Sequence, residues 1–369
     1  MQIFPLFVIL IILENLSVMN LIHGISLSLL VTYLLSCSSV AKNPKGDFVN
    51  FPVEKKLDEV KYLPTNSLSP DGLILYADSL LFVRNTANTA NTVKYHFSLF
   101  NLNSKDFRHY CLPTGRLPGH SMSFLSYGIS NGNLWVHDVI KQKMVLANLD
   151  SIIPNGEGGA KEIAVPKFYY SVQLLNDSAI IASGDYDAPY KVYQLNLGTA
   201  KIEKQAAPYS SDGVDLPRTK KMAYESFLFL KPTGDKCALA CRYADQVEIV
   251  DLATQQSKII KGPEGYEPNV MVMKGNDGRE LSTRGSDTRY AFVKGKVTNK
   301  YIYLLYSGNN HESEHLWYGK YIYVYDWNGN PVKRLELKNY ALDFVVTQDD
   351  SRIYTYDPAA KYIMTANLN

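Results

Sequence analysis

The sequence predicts an all-β protein, a six-bladed β-propeller with four-stranded blades, on three observations. Two short patterns alternate along the chain, six copies of each, about 45–65 residues apart, which is the mark of a repeat architecture. No amphipathic helix of useful length falls between them. Strands with turn signals at this density mean an all-β fold, and four-stranded units repeated in a ring make a propeller. Strict alternation disfavours a β-sandwich, and the uneven spacers disfavour a β-helix.

The first pattern is a polar turn followed by an apolar strand, at 69–76, 130–136, 176–182, 232–240, 298–304 and 349–355. The second is a strand ending in Asp or Asn, then usually Leu or Trp, then a turn. Its copies are 100–103, 147–150, 194–197, 250–252, 325–327 and 366–368. Composition agrees: 46% of the 369 residues are hydrophobic and 27 are tyrosine, a strand former. The net charge is +2 with no basic run, so no footprint for nucleic acid exists.

Residues 1–36 hold one formally charged side chain, Glu14, and read as a targeting segment. Their apolar stretch ends at Leu34-Leu35-Ser36-Cys37, which resembles a bacterial lipobox. That resemblance implies a signal peptide over 1–36, a lipidated Cys37 and a polar tether over 37–50. A transmembrane anchor is the competing reading, because residues 3–13 add a second apolar run and no Lys or Arg precedes it. Translation starts at Met1 or Met19. Ser38-Ser39 carry no acidic export run, which favours the periplasmic side of the outer membrane. Nothing after Cys37 is long and apolar enough to span a bilayer.

Each unit then supplies strands A to D, from the ring's centre outwards. Strand A is expected at 122–126, 169–174, 225–230, 291–297 and 341–346. The more charged outer strand D is expected at 106–112, 161–165, 201–205, 257–261 and 332–337, where charge on an edge blocks sheet-to-sheet association. The sixth unit ends after strand C at Asn369. Residues 51–57 have the outer-strand pattern, so they are expected to pair with 361–367 and close the ring. Cys237 and Cys241 sit four apart in one strand, about 13 Å, too far to bridge. They read as small buried hydrophobes.

The unit at 301–337 is the most complete, with an Asn328-Gly329 hairpin turn. Tyr306-Ser307-Gly308, a variable loop and Ile322-Tyr-Val-Tyr-Asp-Trp-Asn-Gly-Asn-Pro331 resemble the late-blade pattern of the TolB-like six-bladed propeller lipoproteins of Bacteroidales. Ser69-Pro-Asp-Gly72 is similar to the turns of TolB-type blades generally. The resemblance implies a propeller over 51–369 and a cell-envelope address. It carries no catalytic residues.

Three local motifs invite chemistry. His311-Glu-Ser-Glu-His315 satisfies H-E-x-x-H, but zinc chemistry needs both histidines on one helix face, and this stretch lies between strands. No metal or cofactor is therefore expected. Gly128-Ile-Ser-Asn-Gly132 satisfies G-x-S-x-G, yet other units place ordinary turns in that slot. Gly184-Asp-Tyr-Asp-Ala-Pro189 offers two carboxylates to a cation or sugar, or is a tight turn.

Loop length is more informative. B–C and D–A loops emerge on one face of a propeller, and the long segments are of those kinds: 85–91, 112–120, 185–189, 206–224, 261–289 and 309–318. Arg116, His120, Arg218, Tyr224, Arg242, Arg289 and Tyr290 are the candidate ligand-binding residues. Their mixture suits an envelope protein or a glycan. Joint alanine replacement of Arg218, Arg242 and Arg289 is expected to abolish binding without loss of stability. The alternative function is a lyase or hydrolase acting on glycans in the central funnel, with His120, Tyr170, Tyr224 and Tyr290 as the candidate groups.

Overall fold

The structure, a computed structural model, describes residues 49–65, 68–85, 94–210 and 213–369. Cys37, the targeting segment and most of the loop at 85–91 lie outside them. The described residues form six four-stranded antiparallel blades, each ordered A to D from the centre. Blades 1 to 3 are Pro70–Tyr76, Leu80–Asn85, Tyr95–Asn101, Asp106–Pro113; Phe124–Ser130, Asn133–Asp138, Lys143–Asn148, Ala160–Ala164; and Ser171–Asn176, Ala179–Ser183, Tyr190–Asn196, Lys201–Pro208. Blades 4 and 5 are Ser226–Leu230, Lys236–Cys241, Gln246–Asp251, Ser257–Lys261; and Phe292–Val297, Tyr301–Tyr306, Gly319–Asp326, Pro331–Ala341. Blade 6 is Asp343–Val346, Arg352–Asp357, Tyr362–Asn367, with Val60–Pro64 as its outer strand. Consecutive A strands touch all the way round, and blade 6 meets blade 1.

The recurring Asp/Asn-Leu pattern has a physical cause. Asn101, Asn148, Asn196, Asp251 and Asp326 each turn a side-chain oxygen back onto backbone N–H groups two to four residues on, ending strand C. The next residue is buried: Leu102, Leu149, Leu197, Leu252, Trp327 and Leu368. The leucine N–H groups donate to carbonyls of the A–B turn, at Ser79, Gly132, Ser178, Asp235 and Ser351. The repeat therefore ties the two turns of one blade together.

The core is six apolar clusters, each between two neighbouring blades. Leu134 and Val136 face blade 1, while Trp135 between them faces blade 3. Ile180 faces blade 2 and Ile181 faces blade 4. Both faces of a blade are buried, so the B strands read as largely apolar runs, while C strands of blades 1, 3 and 4 are broken by His96 and Ser98, Lys191 and Gln194, and Glu248. The free inner edges of the A strands are met by side chains. Lys294 and Lys296 cross to the Asp71 and Leu73 carbonyls at 2.8 and 2.6 Å. Asp343 accepts the Leu73 N–H at 2.7 Å, and Ser126 and Ser171 accept those of Val172 and Leu228. These bonds stitch the centre of the ring.

Three expectations need correction. An N-terminal strand does close the ring, but it is Val60–Pro64, antiparallel to Tyr362–Asn367. Within 51–57, Glu54–Lys56 instead runs parallel to Arg334–Glu336 as a fifth strand on blade 5. The copy at 69–76 is strand A of blade 1, not strand B. The C–D connection of blade 2 is not a short turn but the helix α1, Leu149–Asn155, capped by Asn148.

Candidate functional site

The B–C and D–A connections share one face, hereafter the loop face. It carries the helix α2, Arg218–Ala223, and a separate hairpin, Met271–Lys274 with Glu280–Thr283, in the D–A connection from blade 4 to blade 5. The opposite face holds the A–B and C–D turns.

At the centre of the loop face, Arg242 follows strand B of blade 4 and Glu225 precedes its strand A. Their backbones pair, Arg242 N–H to Glu225 O at 2.9 Å, so the side chains meet in an ion pair. The guanidinium also bonds the Tyr170 hydroxyl and lies 5.1 Å over the Phe227 ring and 5.5 Å over Trp317. Burial alone would lower the Arg242 pKa, but the Glu225 carboxylate together with Tyr243 and Tyr170 outweighs it, and the charge is held. Tyr290 is fully buried, edge-on to Tyr243 at 5.2 Å and to Trp317 at 4.8 Å. Burial pushes the Tyr170 phenol up to about 12, so it stays protonated at neutral pH.

The seven candidate residues divide into groups. Arg242 and Tyr290 belong to this one cluster. Arg289 and Tyr224 flank it, both tied to the 262–267 segment. Arg289 pairs with Glu264 and lies 4.1 Å over Tyr266, and the Tyr224 hydroxyl donates to Glu267 at 2.8 Å. Arg218 on α2 pairs with Asp187 of the Gly184-Pro189 loop, whose other carboxylate, Asp185, takes Lys167 at 2.5 Å. Arg116, exposed, and His120, half-buried, lie across the ring between blades 1 and 2. Arg218, Arg242 and Arg289 all carry carboxylate partners, so none presents an uncompensated charge. The Arg242 pair is enclosed, with side chains 9% and 14% exposed, so replacing Arg242 cannot be neutral for stability.

The exposed apolar residues were missed from the sequence. Among the described residues, the exposed large apolar side chains outside the outer strands and the N-terminal segment sit on the loop face, except Leu125 in the innermost strand of blade 2. They include Leu117, Ile140, Phe168, Met271, Met273 and Trp317. The turn face has none. In the hairpin, Met271, Met273 and Leu281 share one side by register. Asn276-Asp277-Gly278 between alternating residues was the available signal.

Two further features lie here. A groove of about 620 Å³ opens between blades 5 and 6. Between blades 4 and 5, buried Asp245 accepts the Glu264 and Gly265 N–H groups at 2.8 and 3.2 Å. The motifs resolve plainly. His311 stacks on Tyr290 and His315 on Tyr340, in turns rather than on a helix. Gly128–Gly132 is a strand and its hairpin turn, with Asn131 and Gly132 both at positive φ. Cys111, Cys237 and Cys241 are free and buried. Among the described residues, no group of three or more His, Cys, Asp or Glu is placed to hold a metal, and no helix is long and apolar enough to cross a membrane.

Solved structures resemble this chain at low identity. The Myceliophteria thermophila Cps50 (Swd1) β-propeller domain is 12% identical over 84% of this chain and 100% of its own, with a TM-score of 0.47. The RRP9 WD40 repeats are 10% identical over 87% and 100%, with a TM-score of 0.48. Kuenenia stuttgartiensis hydrazine synthase is 11% identical over 84% and 98%, with a TM-score of 0.44. No curated protein sequence matches. The family model described as TolB-like 6-blade propeller-like matches residues 74–349, most of the chain and five blades of the ring, and the chain belongs to that family.

Proposed function

We propose that this chain is a cell-envelope lipoprotein, anchored through Cys37 at the outer membrane, whose propeller docks an envelope partner on the loop face. One observation carries the docking: exposed apolar side chains gather on that face and are missing from the turn face among the described residues. Exposed apolar surface of this kind marks interaction sites. The hairpin supplies methionines, which adapt to a partner's shape. The ion pairs at Arg218, Arg242 and Arg289 support a partner held by shape and aromatic contact rather than by net charge. The lipobox at 34–37 supports the address.

Photo-crosslinking in intact cells tests this reading. A benzophenone amino acid at Met273 or Trp317 is expected to yield discrete adducts, and one at Asn328 on the turn face none. Adducts from Asn328 alone would move the partner to the other face, and none from any position would overturn docking. Fatty-acid probe labelling lost in Cys37→Ala, and retained in the parent, checks the anchor in the same cells.

A further inference from the structure

The groove between blades 5 and 6 is built from three segments: the B–C loop of blade 5, the end of its strand D, and the B–C turn of blade 6. Its volume falls within the span of small-ligand sites, about 300–1,000 Å³. One wall is aromatic. His315 stacks on Tyr340 with centroids 4.0 Å apart and planes 15° apart, and Tyr318 stands edge-on to His315.

The polar groups are fixed. Asp357 is almost wholly buried, and its two oxygens accept the Ala360 N–H at 2.9 Å and the Asn339 amide at 2.8 Å. Glu59 lies beneath, accepting the Lys338 N–H at 2.7 Å and the Thr355 hydroxyl. Lys320 and Lys338 line the rim; Lys320 faces Glu336 at 3.9 Å, and the Lys338 ammonium makes no ion pair among the described residues. Two lysines thus share the groove with the Asp357 carboxylate, and Glu59 is buried behind its lining. A ligand with a net negative charge would meet those acids, and a cation would meet the lysines. A purely apolar ligand would desolvate the two lysines without replacing their water.

We infer that this groove binds a neutral, hydroxyl-rich ring, a pyranose unit of a glycan. The aromatic wall covers the C–H face of the ring. The hydroxyls reach the lysine donors and the Asn339 amide oxygen at the rim. The inference rests on the loop face being the binding face and names the ligand class for one part of it. The hairpin takes no part.

Saturation-transfer NMR on the full chain tests it, with the neutral trisaccharides of glucose, mannose and N-acetylglucosamine and a galacturonate trimer as probes. At least one neutral trimer is expected to bind, with affinity at least tenfold above the galacturonate trimer. Tyr340→Ala should lose tenfold or more, Tyr340→Phe should retain binding, and Asn328→Ala, on the turn face, should leave it unchanged. Absence of binding by every neutral trimer at millimolar concentration overturns the inference. So does undiminished binding in Tyr340→Ala, or preference for the charged trimer. A loss in Tyr340→Phe equal to that in Tyr340→Ala also overturns the stacking role. If the groove fails while crosslinks from Met273 and Trp317 persist, the glycan assignment falls and the docking face stands.

Discussion

Arg242 and Arg218 look alike in the sequence, two cations on loops of one face, and differ in what surrounds them. The Arg242–Glu225 pair is enclosed, whereas the side chains of Arg218 and Asp187 are 41% and 68% exposed. Removing one member of an enclosed pair strands the other charge, at a cost of about 3–5 kcal/mol. An exposed pair contributes about 0–1 kcal/mol. Urea denaturation should therefore show Arg242→Ala strongly destabilised and Arg218→Ala close to the parent; equal midpoints would refute the enclosure. Asp245 makes a pH-dependent prediction. Burial pushes its carboxyl up to about 6 from 3.8, against the pull of the Glu264 and Gly265 N–H groups. A folded-state pKa above the unfolded one favours the fold below about pH 4, and that stability is lost as pH rises through about 6. Asp245→Asn keeps an acceptor for both N–H groups and cannot ionise. It should match the parent at pH 4 and exceed it by about 1–3 kcal/mol at pH 7.5, at 1.36 kcal/mol per pKa unit. A difference that does not change with pH in thermal melts would refute this.

At the scale of elements, the blades were legible because the Asp/Asn-Leu ending is a local device repeated in sequence. The first strand of blade 1 was misread for an equally local reason. Ser69-Pro-Asp-Gly72 has the residues of a turn, but Gly72 is there for close approach: a Cβ on it would lie 1.8 Å from the Tyr127 hydroxyl oxygen. The true turn is Ala77-Asp78-Ser79, where Ala77 and Asp78 take positive φ without any glycine to announce it. Helix α1 hid similarly, as seven residues with Pro154 inside and no room for a periodic pattern. The long B–C and D–A connections among the described residues were legible from spacing, but the helical C–D connection of blade 2 on the other face was not. Nor was the composition of the site, because pairing across loops is a tertiary fact. Glu225 meets Arg242, Glu264 meets Arg289 and Asp187 meets Arg218 across 17, 25 and 31 residues of chain. The groove was invisible for the same reason, since Tyr340 and Asp357 belong to different blades.

At the scale of the whole molecule, the segment before blade 1 spans three blades, and its parts do different work. The Val49 N–H bonds Lys261 at the outer edge of blade 4, and Phe51 packs on Tyr323 and Tyr325 of blade 5 at 4.9 and 5.3 Å. Glu54–Lys56 covers part of the outer edge of blade 5, and Leu57 is buried between blades 5 and 6. Only Val60–Pro64 completes a blade, and with it the ring. A chain beginning at Glu59 keeps that strand and loses the strap. Its losses are chiefly buried Leu57, at about 1.5–3 kcal/mol, and half-buried Phe51, at less than that. It should melt several degrees lower, with faster amide exchange in the outer strand of blade 5, yet keep the parent's oligomeric state. A chain beginning at Thr65 also loses Leu63 and leaves Tyr362–Asn367 as an unpaired edge beside blade 1. An open edge there invites pairing between molecules. That chain should aggregate or fail to fold, as read by light scattering and exchange in blades 1 and 6. If both truncations behave alike, the strap and the closing strand are not separate devices; if the shorter chain stays soluble with a parent-like melt, Val60–Pro64 does not close the ring.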